Sequence, residues 1–369
     1  MTSKLHLVLA AFLVTLCSGG WTAAEDDDGD GRLGLGGDFR VRYEGNSAVD
    51  DGPERHRGVL RFRLGATFRI NDRLQVGARL ATGDPGNPRT TDVTMDDFVD
   101  DLEVSLDRAY LHAALPRAVA WAGKHPNPFT TTELVWDGDV NPIGLAGTMH
   151  GGDVGGFTPR LTGALMIVDE QTVGDDSTMW GGQVGLERRR AGWGLEVGIA
   201  YWDYHIASLA AADDPGDRRG NLLTPEGSAY LSDFDLADVV VAVTMPGPTV
   251  GMPMRVVVDY VKNLGAAVDE DEGFGVDVFM GQAWTEGRPL FRYGYAQCET
   301  DAVLGAFSHD NLPLATNYRG QTLRAEYGVL PDTSLSLTWY YFKELDGRAD
   351  AADASGYRSR VRLDLMVRF

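Results

Sequence analysis

The residues best equipped to act on a solute are arginines, and many of them recur at every second position. Arg40 and Arg42 stand two apart, as do Arg61 and Arg63, and Arg358, Arg360 and Arg362, while Arg69 and Arg79 fall in phase with their own neighbours. A guanidinium keeps its charge and offers a planar fork to successive anionic groups, so a row of them can attract, orient and pass on a solute without making a bond. Catalysis would need a nucleophile, a base and an orienting group together, and no Ser/His pair stands out. His56, His112, His125, His150, His205 and His309 are dispersed, with no metal-ligand spacing of the H-E-x-x-H kind. Asp26-Asp27-Asp28-Gly29-Asp30-Gly31 opens like a calcium loop, but Gly37 stands where the twelfth-position glutamate belongs. No catalytic residue, cofactor or metal site is expected. The pairs Gly151-Gly152 and Gly155-Gly156 lack a following Lys-Ser/Thr and read as a bulge or tight turn rather than a phosphate cradle.

Only strands can hold arginines at this spacing on one face. In 57–70, Leu60, Phe62, Leu64, Ala66 and Phe68 alternate with Arg61, Arg63, Gly65, Thr67 and Arg69. At the C-terminus Val361, Leu363, Leu365, Val367 and Phe369 alternate with Arg360, Arg362, Asp364 and Arg368. A helix would mix the two sets around its circumference, whereas a strand separates them. Sixteen such windows follow: 33–44, 57–70, 74–83, 102–115, 118–124, 148–154, 160–168, 179–188, 193–204, 235–245, 253–263, 274–284, 290–298, 319–328, 334–343 and 357–369. Several match the 9–11 residues of a tilted membrane strand. Short links such as Asn71-Asp72 and Pro116-Arg117 alternate with long acidic ones at 45–56, 84–101, 125–147, 205–234, 299–318 and 344–356. That sorting is the mark of an outer-membrane barrel with short periplasmic turns and long external loops. The expected fold is therefore all-β, a transmembrane antiparallel barrel of about 16 strands.

Composition agrees. With 33 basic and 54 acidic residues the chain carries −21, which disfavours nucleic acid as a partner. Only four of the basic residues are lysine. Residues 1–24 read as a signal peptide: Lys4, then an apolar stretch from Leu5 to Leu16 too short to span a bilayer, then small residues up to Ala24. Lipidation at Cys17 is the rival reading, disfavoured by the bulky Leu16 before it. Cleavage removes Lys4 and no acid, so the mature chain is at −22 and retains one cysteine, Cys298, with no partner for a disulfide. Residues 25–32 read as a solvated acidic leader and 33–369 as the barrel. Tyr201, Trp339, Tyr341, Tyr357 and Phe369 fit interfacial girdles.

Several stretches carry a family resemblance. Gly37-Asp38-Phe39-Arg40-Val41-Arg42-Tyr43-Glu44, Val76 to Asp84, Leu106-Asp107-Arg108-Ala109-Tyr110-Leu111, Gly123-Lys124, Asn127-Pro128-Phe129 and Leu134-Val135-Trp136-Asp137 make the chain resemble Gram-negative outer-membrane porins. The similarity is greatest to the sixteen-stranded family called putative porins. The terminal Phe369 resembles the aromatic by which the barrel assembly machinery recognises such proteins. The resemblance implies a water-filled outer-membrane channel for small hydrophilic solutes and ions, with membrane lipid around it. Trimers are common among general porins, but the oligomeric state stays open.

In general porins the third long loop folds into the lumen. By that resemblance 125–147 is a constriction loop whose Glu133, Trp136, Asp137 and Asp139 face a pore lined by Arg40, Arg42, Arg61, Arg63, Arg69, Arg79, Arg358, Arg360 and Arg362. Opposed charges would set up a transverse field that screens solutes by size and charge. The competing reading has the arginines merely pairing with wall acids such as Asp38 and Asp364. Competing functions are a barrel-scaffolded enzyme and an adhesin or receptor using the acidic loops.

Overall fold

The computed structural model describes residues 31–47, 54–97, 101–209, 220–249, 251–345 and 356–369. Residues 1–24, expected to be a signal peptide, and residues 25–30 of the expected acidic leader lie outside these. The strands are β1 (Leu33–Asn46), β2 (Arg55–Arg69), β3 (Leu74–Thr82), β4 (Val93–Thr94), β5 (Val104–Leu115), β6 (Ala118–Lys124), β7 (Ile143–His150), β8 (Thr158–Asp169) and β9 (Ser177–Arg190). The second half adds β10 (Trp193–His205), β11 (Phe234–Met245), β12 (Met254–Asn263), β13 (Glu272–Gly281), β14 (Pro289–Cys298), β15 (Tyr318–Leu330), β16 (Thr333–Glu344) and β17 (Arg358–Arg368). Among the described residues there is no helix.

Sixteen of these strands form the wall, each antiparallel to its sequence neighbour, and β17 pairs with β1 to close the ring. Closure leaves no strand edge, which is what makes a sheet tolerable in lipid. The two-residue β4 belongs to the loop between β3 and β5 and adds to β2 at Val59 and Leu60. Along the wall strands Leu80, Leu145, Leu165, Val184, Ile199, Leu323, Leu337 and Leu363 point outward and are exposed, giving the belt a membrane covers. At the long-loop rim the Tyr341 ring stacks on Tyr357, centroids 4.4 Å apart, and meets Trp339 at a tilt, 5.5 Å away. The seam is sealed by the last residue. Gly37 and Phe369 exchange backbone hydrogen bonds of 2.7 and 3.1 Å. The ring lies over Gly37, where a Cβ would come within 2.5 Å of it, and stacks on Phe62.

One window is displaced. The strand expected at 148–154 runs over Ile143–His150, so the constriction loop ends at Pro142 rather than 147. Ile143, Leu145 and Met149 alternate outward against inward Ala146 and Thr148. Gly144 and Gly147, with no side chain, hid that alternation. Gly151 to Gly156 form the turn, with Gly155 and Gly156 at φ of 65° and 86°. Cys298 is buried.

Candidate functional site

The lumen is built by parity. On β1 Asp38, Arg40, Arg42 and Glu44 point inward, and on β2 Arg57, Arg61 and Arg63 do. Register places Asp38 beside Arg63, Arg42 beside Asp364, and Glu44 between Arg57 and Arg362. These same-face cross-strand neighbours become ion pairs. Arg42 Nε donates to Asp364 at 2.6 Å, Arg61 Nε and Arg63 Nε donate to Asp38 at 2.9 and 2.8 Å, and Arg362 Nε donates to Glu44 at 2.7 Å. Arg57 reaches the other Glu44 oxygen at 2.8 Å, and Arg360 lies 3.8 Å from Glu44. Arg79 Nε lies 2.9 Å from both oxygens of Asp107. Arg358 sits at the rim, 3.4 Å from Glu344. Arg69 departs from the expected ladder: it is exposed at the turn end of β2 and donates to the Gly31 carbonyl.

Three loops fold onto this wall. Asp92, from the second long loop, accepts from Arg40 and, at 3.0 Å, from Arg42. Asp139, from the third, accepts from Arg63 at 2.6 Å, with the Thr91 hydroxyl at 3.3 Å and Arg61 at 3.9 Å. Asn311, in 299–317, accepts from Arg362 at 2.8 Å through its side chain and from Arg360 at 2.7 Å through its carbonyl.

The third loop crosses the bore. At its start Gln183 of β9 clamps Thr130 like a strand partner, accepting from the Thr130 N–H at 2.9 Å and donating to its carbonyl at 2.8 Å. Thr132 then donates to Asp259 of β12, and seven residues on Asp139 is held by Arg63 of β2. Finally Asn141 accepts from Arg108 of β5 at 2.6 Å. In the ring of sixteen wall strands β12 lies eight places from β3 and seven from β2, on the far side. Between the tethers the loop is pinned by aromatic packing: Trp136 lies 6.5 Å from Phe129, 6.5 Å from Trp202 and 6.3 Å from Phe307.

Of the four expected constriction-loop residues, Asp139 alone touches the arginine wall. Trp136 does not present a face to the lumen: it is 4% exposed and anchors the loop from within. Glu133 accepts from Asn311 at 2.8 Å and borders a cavity of about 80 Å³ with Arg292, Asp277 and Asp259. Asp137 accepts from the N–H of Asp139 at 2.7 Å and of Asp310 at 3.3 Å. Burial, and then the carboxylates of Asp310, Asp139 and Glu133, push its carboxyl well above the usual range. Burial would also raise Asp139 and Asp92, but Arg63 and Arg61 outweigh it at Asp139, as Arg40 and Arg42 do at Asp92, and hold both below the ordinary value.

Several residues of the site are not legible in the sequence. Arg108 shares parity with Leu106 and reads as outward. A bulge in the β3–β5 register, where Arg79 faces Arg108 but Leu80 faces Leu106, makes Asp107 an extra residue and turns Asp107 and Arg108 both inward. On the far wall Asp238, Asp259 and Asp277 are inward, with Arg292 2.6 Å from Asp277. Nothing in the sequence paired these with the third loop. Around the near wall Arg40, Arg42, Arg57, Arg61, Arg63, Arg79, Arg108, Arg360 and Arg362 meet Asp38, Glu44, Asp92, Asp107, Asp139 and Asp364, nine cations against six anions. The far wall and mid-loop bring the carboxyl groups of Glu133, Asp137, Asp238, Asp259 and Asp277 into the region of Arg292. Among the described residues no group of three or more His, Cys, Asp or Glu is placed to hold a metal ion.

A closed sixteen-strand ring with an inward third loop invites comparison with known proteins. Residues 47–215 match the family model described as "Putative porin". The resemblance carried by the sequence is met there. Among solved structures the chain is similar to Pseudomonas putida OprB, at 13% identity and a TM-score of 0.60, covering 92% of this chain and 94% of that one. It is also similar to an anion-selective porin from Comamonas acidovorans, at 11% identity and a TM-score of 0.55 over 91% and 99%. Salmonella typhi OmpF, in complex with daunomycin, gives 11% identity and a TM-score of 0.53 over 91% and 97%. At these identities the likeness is one of fold: this is a porin-type barrel. No curated protein matches the chain.

Proposed function

We propose that the chain works as an outer-membrane channel through which small hydrophilic solutes and ions diffuse, screened where the third loop crosses the lumen. The observation that carries this reading is the loop's double tether, Thr132 to Asp259 on one wall and Asp139 to Arg63 on the other. A solute must pass beside a segment held between a cation-rich sector and a carboxylate-rich one. Most near-wall arginines are ion-paired, and counting nine of them against six carboxylates leaves more guanidinium than carboxylate there, which supports a charged constriction alongside structural pairing. Surplus charges of opposite sign across a narrow, low-dielectric passage make a field that orients dipolar solutes and favours anions along the arginine side. Arg40, Arg42, Arg61, Arg63, Arg79, Arg360 and Arg362, joined by Arg108, are the residues assigned to that side.

Swelling of liposomes carrying the refolded barrel tests this reading. Small sugars and small organic anions should enter, with rates falling steeply as solute size grows. Vesicles that stay impermeable to all of them, with the barrel correctly folded, would overturn it.

A further inference from the structure

The described residues of the two rims expose opposite charge. Among the described residues the long-loop rim exposes thirteen acids against a single exposed arginine, Arg55, whereas the short-turn rim exposes eight arginines against four acids, Asp72, Asp153, Glu286 and Asp332. Four of those arginines, Arg73, Arg117, Arg190 and Arg288, stand at four separate turns, each exposed. None has a carboxylate partner among the described residues, unlike Arg189, which pairs with Glu187. The aromatic level lies beside them: Trp193 and Phe369 are exposed outward at this end. Rings at this height sit where acyl chains give way to headgroups, so the free guanidiniums fall at phosphate level.

We propose that this ring of turn arginines binds the phosphodiester headgroups of anionic phospholipids in the leaflet at the short-turn rim. A guanidinium donates two parallel hydrogen bonds to a phosphate, and the surface potential of an anionic leaflet adds attraction that falls off within a Debye length. Among the described residues the long-loop rim exposes Arg55 as its single guanidinium amid acids that repel the same lipids, so the barrel's described ends are chemically sorted between two leaflets. The inference rests on the membrane-spanning fold and not on the channel reading.

The test is lipid retention by the detergent-solubilised barrel, measured by native mass spectrometry with phosphatidylglycerol or phosphatidylcholine added. Wild type should retain phosphatidylglycerol at least about threefold more than phosphatidylcholine at low salt, with the preference shrinking at high salt. Combined R73Q, R117Q, R190Q and R288Q should abolish the preference while leaving single-channel conductance intact, and each single variant should lose part of it, which keeps the test decisive if the quadruple variant fails to fold. Equal retention of the two lipids by wild type, or an undiminished preference in the variants, would overturn the proposal. So would displacement of the lipid by equimolar inorganic phosphate, or arginine-dependent binding to isolated peptidoglycan with no lipid preference.

Discussion

Arg61 and Arg63 share Asp38 and between them hold Asp139, so they fasten the loop and supply charge at once. Replacing both by Gln leaves Asp38 and Asp139 uncompensated beside the passage. A unit charge at ~4 Å in water-like surroundings is worth ~1 kcal/mol, about fivefold in a permeability ratio. The reversal potential of R61Q/R63Q in a salt gradient should therefore move toward cations by that order, and an unchanged value would reduce the pair to wall filler. Asp137 and Asp139, two residues apart, respond to pH in opposite senses. Asp139 and Asp92 are depressed, so their contribution to loop docking is present above the ordinary aspartate value of 3.8 and is lost as the pH falls below it. Asp137 is raised, so docking is favoured while it is protonated and weakens as rising pH ionises it. Fluorescence of the buried Trp136 should thus report tightest docking in mild acid, with a loss on each side. Asp137→Asn should flatten the alkaline limb alone, and a limb unchanged in that variant would remove Asp137 from the account.

At the scale of the element, the strands were legible because period-2 alternation is a direct consequence of pleating, and where it failed the cause is local. β7 lies off its expected window because two of its eight residues are glycine, and the inward turn of Arg108 is hidden because one bulge reverses parity within β5. The loop's course was legible only in outline. Asp139 meeting Arg63 follows from charge, but Trp136 turning inward and Asn311 and Asp92 joining from other loops depend on contacts between segments far apart in sequence. The element-level tether is Gln183. Gln183→Ala removes two hydrogen bonds to the Thr130 backbone and leaves buried groups unsatisfied, costing about 1–3 kcal/mol of docking. Faster proteolysis within 125–142 should follow, with the barrel itself intact, and wild-type resistance would show that the aromatic anchor suffices. At the seam, Gly37→Val drives a side chain into the Phe369 ring. The variant should refold poorly and lose the heat-shifted gel mobility of a closed barrel, and normal mobility would contradict the packing assigned to the terminal residue.

For the whole molecule, the class of fold followed from sequence because a closed barrel imposes its pattern on every strand. The walls' charge polarity did not, because it depends on which strands face each other across the lumen. Asp238 and Asp259 are unremarkable in β11 and β12 until the ring places them across from the arginines of β2 and β3. The central claim is that the barrel is an open channel whose third loop lies between two oppositely charged sectors. Single-channel recording of the refolded chain without residues 1–24, in a planar bilayer under a KCl gradient, tests it most directly. Stable conductance steps are expected, with a reversal potential on the anion-selective side set by the guanidinium surplus of the near wall. A correctly folded barrel that shows no steps, or one whose selectivity is cationic, would contradict it.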